Sequence, residues 1–179
     1  MKFSAEIPQW RDSLPKLFQQ VFSDSEGEDE GKVIGALVSD LLSNTPEDDL
    51  QAAISQDGPK VLGCILFSRL RFEQDTRQVF LMSPVAVRTD RQKSGVGQKL
   101  IRFGLEGLRS ANVDYVVTYG DPAYYGRSGF VPISEDFAPA PMPLSHPHGW
   151  LGQALTETET APFKGPSHCV EAFNKPELW

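Results

Sequence analysis

An apolar run, a glycine-punctuated loop and an amphipathic helix follow one another in this chain, and no other stretch constrains its fold as tightly. The run is Val79-Phe80-Leu81-Met82-Ser83-Pro84-Val85-Ala86-Val87, which reads as a strand. Gly97, Leu100, Ile101, Gly104, Leu105 and Leu108 then recur at i, i+3, i+4, i+7, i+8 and i+11, one face of a 3.6-residue period. Lys99, Arg102, Glu106 and Arg109 take the opposite face. Between strand and helix lie Gln92, Lys93, Ser94, Gly95, Val96 and Gly97. Such a loop ahead of a helix N-terminus makes an anion site, because unpaired backbone N–H groups converge there and the helix dipole favours negative charge. Glycine lets the backbone approach a ligand with no Cβ in the way. The ligand expected is one that carries phosphate.

Two phosphate loops are testable from spacing. The P-loop needs G-x-x-x-x-G-K-[S/T], which the chain lacks. The dinucleotide fingerprint needs G-x-G-x-x-G, and Leu100 stands where its third glycine belongs. The order Q-x-x-G-x-G after a strand resembles instead the acyl-CoA loop of the GNAT superfamily of N-acyltransferases. A second segment supports that resemblance. Tyr115–Tyr119 reads as a buried strand, and Gly120-Asp121-Pro122-Ala123-Tyr124-Tyr125-Gly126-Arg127-Ser128-Gly129-Phe130 follows it. This resembles the family's second signature, a short helix with a tyrosine pair closing on glycine-phenylalanine. It lies about 30 residues downstream, as a strand–helix–strand unit requires. The wording D-P-A-Y-Y-x-R-x-G-F, and Ser83 to Val87 before the loop, look most like the YhbS-like subgroup of acetyltransferases.

The resemblance implies an α+β GNAT fold. Its central sheet is mixed, mostly antiparallel and twisted, with about six or seven strands flanked by about four helices and a splayed strand pair that takes CoA. It implies acetyl-CoA as co-substrate, with no metal, and a small-molecule or peptide amine as acceptor. The backbone amides from Gln92 to Gly97 would hold the CoA pyrophosphate, with Arg91 and Lys93 adding positive charge. The backbone of Val85, Ala86 and Val87 would pair with the pantetheine amides as an added strand does. Tyr125, five residues before Phe130, would protonate the leaving thiolate; the alternative is that it only packs against the pantetheine. Tyr124 would pack against the sheet beside the cofactor. Thr118 departs from the pattern, since many relatives carry asparagine there. Asp121 is a nearby polar candidate or a helix cap. Strand 79–87 holds no carboxylate, so no general base is assigned. A second class of function stays open, a non-catalytic acyl-CoA-binding module on the same fold.

Composition narrows the remaining classes. A length of 179 residues suits one domain over residues 1–179, and 40% hydrophobic residues suit a globular core. A net charge of −7 argues against a nucleic-acid surface. No basic-then-apolar leader and no run of about 18 apolar residues occurs, so neither export nor a membrane span is expected. Cys64 and Cys169 make no disulfide framework, which points to a reduced cytoplasmic location. Homodimers are compatible with the resemblance, though nothing fixes an interface.

Periodicity orders the rest. A strand is expected over residues 2–7. Trp10, Leu14, Leu17, Phe18, Val21 and Phe22 mark one helix, and Val33, Ile34, Leu37, Val38, Leu41 and Leu42 mark another. The acidic run from Asp24 to Glu30 reads as a solvated loop or a helix start. Strands over 50–56 and 61–72 join across Asp57-Gly58-Pro59. From Ser134 the pattern fades into a proline-punctuated segment over 134–166, a candidate lid, with a last edge strand near 168–173. His146, His148 and His168 lack paired metal-site spacing, and Trp150 and Trp179 are expected to pin the tail.

Overall fold

Each apolar period in the first 130 residues becomes an element in the computed structural model, which describes residues 1–179. In chain order these are β1 (Lys2–Ser4), α1 (Leu14–Glu26), α2 (Glu28–Asn44), β2 (Leu50–Asp57), β3 (Lys60–Phe72), β4 (Val79–Val87), α3 (Val96–Ser110), β5 (Tyr115–Tyr119), α4 (Pro122–Tyr125) and β6 (Val131–Pro132). Two further strands, β7 (Trp150–Ala154) and β8 (Ser167–His168), complete a mixed sheet, and four helices make the fold α+β. The chain divides into two compact units, one of residues 1–67 and 84–104 and one of residues 68–83 and 105–179.

In the first unit β1 pairs antiparallel with β2, Lys2 opposite Gln56 and Ser4 opposite Ile54. The first strand is shorter than expected because Pro8 opens a 3-10 turn at Pro8–Trp10, which leaves Trp10 outside α1. Pro15 in the first turn of α1 sacrifices no hydrogen bond, since that N–H would be unpaired anyway. Gly27, at φ 101, separates α1 from α2. The acidic run therefore spans a helix junction, and Glu28, Asp29 and Glu30 sit in the first turn of α2, where the dipole favours them. The two helices approach closely at Gly31: a Cβ there would lie 1.9 Å from Ser23 Oγ and 2.6 Å from the Gln19 carbonyl. Leu14, Phe18 and Val21 of α1 and Leu37, Val38 and Leu41 of α2 are buried together in this unit's core. On α3, Leu100 and Ile101 are fully buried, and a Cβ at Gly104 would meet Phe67 Cζ at 2.5 Å.

In the second unit β4 runs parallel to β5, with Val79, Phe80 and Leu81 opposite Tyr115, Val116 and Val117. β5 pairs antiparallel with β7 from Tyr115–Ala154 to Tyr119–Trp150, and β6 pairs with β7. β7 corrects the expectation that residues 134–166 are irregular. Trp150, Leu151 and Gly152 are consecutively buried, so no period-2 alternation betrays the strand. The last strand also differs from expectation: β8 is Ser167–His168, paired with Arg71 and Phe72 of β3, and Glu171–Phe173 forms a 3-10 turn. The proline-rich segment is anchored, not a free lid. Arg77 donates to the carbonyls of Ala161 (2.7 Å) and Pro162 (3.1 Å) and stacks 3.8 Å above the Phe163 ring. Phe163 in turn stacks on Phe72 at 4.6 Å, and Trp150 donates to the Ala138 carbonyl at 2.9 Å.

Candidate active site

The loop after β4 is built by a chain of local hydrogen bonds. Arg88 N–H donates to the Leu62 carbonyl at 2.8 Å, and a 3-10 turn at Thr89–Arg91 follows. The Gln92 side-chain amide folds back to donate to the Val87 carbonyl at 3.1 Å, and the Ser94 hydroxyl caps the Arg91 carbonyl at 2.5 Å. Lys93 (φ 59) and Gly95 (φ 82) are both left-handed, with Ser94 between them. Alternating handedness turns successive N–H groups toward one side, the concave nest that binds anions. For Lys93 this conformation is uncommon in a residue with a Cβ. α3 begins at Val96, and its first i→i−4 bond is Lys99 N–H to the Gly95 carbonyl at 3.1 Å. The amides of Val96, Gly97 and Gln98 thus precede the first helical bond and point from the N-terminus. Val96 is buried, which roots the helix, whereas Gln92 to Gly95 are exposed.

Charge around this loop is already sorted. Arg88 is held by Asp90 through two 3.0 Å bonds in a bidentate pair. Arg91 and Lys93 stand exposed, so these two cations remain for an anion. Ala86 and Val87 are buried in the second half of β4 and Val85 is partly exposed. The absence of a Cβ at Gly63 lets β3 come within 2.9 Å of the Ala86 carbonyl, measured to an ideal Cβ position.

The tyrosine segment belongs to the second unit. Asp121 caps α4, its Oδ1 accepting from Ala123 N–H at 2.9 Å. Pro122 presets the first turn. Gly129 then takes φ 91, and Phe130 N–H returns to the Tyr125 carbonyl at 3.3 Å, which explains the closing glycine-phenylalanine pair. Phe130 is buried and meets the Tyr125 ring edge-on at 6.0 Å, and Tyr124 meets it edge-on at 5.1 Å. Gly120 makes room for the phenol ring: a Cβ there would lie 2.7 Å from Tyr125 Cε2.

Thr118, which the sequence marked only as a departure from the family pattern, makes a contact that the sequence did not indicate. It is 1% exposed at the end of β5, and its hydroxyl donates to the Met82 carbonyl at 2.8 Å. The same hydroxyl lies close enough to the Tyr125 phenol to act on its titration. Burial pushes the Tyr125 phenol well above the ordinary tyrosine range, with Tyr124 and Asp121 adding to the rise and Thr118 opposing it. The phenol therefore keeps its proton at neutral pH. Burial likewise raises Tyr124, against Arg127. Elsewhere, the His146 and His148 rings lie 5.9 Å apart and His168 pairs with Glu73 at 2.7 Å. No three histidine, cysteine or acidic side chains gather as a metal site would require.

The chain is 36% identical over 125 residues to the uncharacterised N-acetyltransferase YjhQ of Escherichia coli strain K12, covering 67% of this chain and 69% of that protein. Its fold matches the GNAT family N-acetyltransferase YhbS of Escherichia coli, solved in complex with CoA, with a TM-score of 0.75 at 24% identity over 97% of this chain and 92% of that one. A GNAT family acetyltransferase from Brucella melitensis, solved with acetyl-CoA, gives a TM-score of 0.70 at 24% identity, covering 97% of both chains. No protein-family model matches the chain.

Proposed function

The chain belongs to the GNAT family of N-acetyltransferases, and from that premise we propose that its Tyr125 and the loop Gln92–Gly97 transfer acetyl from acetyl-CoA to the amine of a small molecule or peptide. The amides of residues 92–97, with Arg91 and Lys93, hold the pyrophosphate, and the backbone of Val85, Ala86 and Val87 pairs with the pantetheine. The neutral amine attacks the thioester carbon and the C–N bond forms. The C–S bond then breaks, and Tyr125 gives its proton to the departing thiolate. The proton shed by the amine passes to water, and Tyr125 is reprotonated from solvent. A phenol suits this task because it donates without ionising near pH 7. Two free cysteines accord with a cytoplasmic location, and no helix is long and apolar enough to cross a membrane.

The observation that carries this reading is the half-buried Tyr125 phenol, whose surroundings raise its pKa and keep it protonated at neutral pH. Replacement Tyr125→Phe tests it. Turnover is expected to fall by about a hundredfold, the ordinary size of a general-acid contribution, while CoA affinity measured by calorimetry changes little. Unchanged turnover removes the tyrosine from the mechanism.

A further inference from the structure

Tyr119 ends β5, and Gly120 alone separates it from the cap of α4, so whatever holds these two residues sets where the tyrosine helix begins. Three pieces of the second unit, far apart in sequence, close on Tyr119. The ring of Trp179 stacks on it at 6.3 Å with the planes 20° apart. Trp150, its register partner on β7, meets it edge-on at 6.5 Å. Its phenol oxygen accepts from the His146 backbone N–H at 2.6 Å. The neighbouring Ser145 donates its hydroxyl to the main-chain oxygen of Trp179, which ties that loop to the tail.

Trp179 is itself fixed on several sides. It is 5% exposed, its indole N–H donates to the Phe173 carbonyl at 2.9 Å, and the rings of Trp150 and Phe173 each meet it edge-on at 6.1 Å. Gly120 locks onto the same loop. Its N–H donates to the Gly149 carbonyl at 2.9 Å, and a Cβ on Gly149 would lie 2.9 Å from the Gly120 carbonyl oxygen. Gly120 is also the backbone against which the Tyr125 ring rests, close enough that a Cβ there would clash with it. Tyr125 N–H then donates to the Asp121 carbonyl at 3.1 Å. Contact is therefore unbroken from Trp179 through Tyr119 and Gly120 to the phenol ring, and a shift of the strand end carries that ring with it.

We propose that Trp179 is a positioning residue for Tyr125: by stacking on Tyr119 it holds the end of β5 where Gly120 seats the phenol for proton transfer. Trp179 takes no part in that transfer itself. Placement matters at this step, because a displacement of about 1 Å at a reacting group costs about a hundredfold in rate. The inference rests on the acetyl-transfer reading above, in which Tyr125 is the proton donor.

Fluorine NMR tests this without an acceptor. The full chain is labelled with 3-fluorotyrosine at its four tyrosines, and the resonance missing from Tyr125→Phe belongs to Tyr125. In Trp179→Ala that resonance is expected to shift and to titrate at lower pH, because a displaced phenol regains water. The Tyr115 resonance stays in place and reports an intact fold. Trp179→Phe, which keeps a stacking ring, should return the Tyr125 signal to its original position. If Trp179→Ala fails to fold, Trp179→Leu fills the space without a stacking ring and makes the same comparison. A Tyr125 resonance that neither moves nor changes its titration overturns the proposal, as does one that Trp179→Phe fails to restore. Thiol release from acetyl-CoA with hexylamine supplies the kinetic arm. Trp179→Ala should lower kcat about tenfold or more at an unchanged KM for acetyl-CoA, and should cost nothing further in the Tyr125→Phe background. Equal losses in both backgrounds overturn the proposal. If Tyr125→Phe keeps full turnover, the acetyl-transfer role of Tyr125 fails and the proposal falls with it; if Tyr125→Phe is slow and Trp179→Ala is not, only the positioning inference fails.

Discussion

Thr118 donates its hydroxyl to the carbonyl of Met82 at 2.8 Å, across 36 residues of chain, where the paired part of β4 and β5 ends. The same hydroxyl opposes the rise that burial imposes on the Tyr125 phenol. Tyr125 stands on a one-turn helix with little rigidity of its own, so its position derives from the rings of Tyr124 and Phe130 packed against it.

Thr118→Val keeps the shape and removes the hydroxyl. It leaves the Met82 carbonyl without this partner and removes the hydroxyl that opposes the rise of the Tyr125 phenol. Stability is expected to drop by about 1–2 kcal/mol in urea unfolding. Turnover should fall while the KM for acetyl-CoA stays near its original value, and Thr118→Ser should restore both. Unaltered kcat in Thr118→Val would show that Tyr125 is positioned by ring packing alone.

Gly120→Ala places a methyl group 2.7 Å from Tyr125 Cε2, so the ring must turn away. The expected result is a loss of kcat far larger than any shift in CoA affinity. A crystal structure of the variant should show the phenol displaced from Thr118; an unmoved ring with full activity contradicts this.

The raised phenols predict the alkaline behaviour. Burial raises Tyr115 to about 12 and Tyr125 higher still, whereas an unfolded tyrosine titrates near about 10. Below pH 10 both states are neutral and the stabilisation is complete. Above it the unfolded chain loses protons that the native chain retains, so stability is lost as pH rises toward the folded values. Thermal melting from pH 8 to 11 should show this decline, and it should be shallower in Tyr125→Phe. For the same reason turnover should show no loss from Tyr125 ionisation below pH 10.

Gly31→Ala probes the helix pair. The new methyl group would lie 1.9 Å from Ser23 Oγ and 2.6 Å from the Gln19 carbonyl, so α1 and α2 must separate. A cost of about 1–3 kcal/mol is expected from overpacking, read from chemical denaturation. Adding Ser23→Ala should relieve only part of it, because the backbone carbonyl remains.

Much of this molecule was legible residue by residue. Val79–Val87 and Tyr115–Tyr119 occur with the boundaries their apolar runs suggested. Leu100, Ile101, Leu105 and Leu108 are buried on the face their period assigned, while Lys99, Arg102, Glu106 and Arg109 are exposed. The loop glycine at position 95 has the positive φ that its place implied. β7 was hidden because a short strand with consecutive buried residues carries no alternation, and its neighbours are prolines. The close approach at Gly31 left no trace either, since a helical glycine looks the same whether or not another helix lies against it.

The sequence by itself determined the order of elements through α4 and the glycine-bearing loop ahead of α3, because these depend on local periodicity, glycine conformation and helix capping. Only the tertiary structure decided what Thr118 does, which cations beside the loop stay unpaired, and that Asp24 and Thr89 meet. Those facts depend on contacts between residues far apart in the chain, and a one-dimensional pattern does not encode which distant groups will share a hydrogen bond.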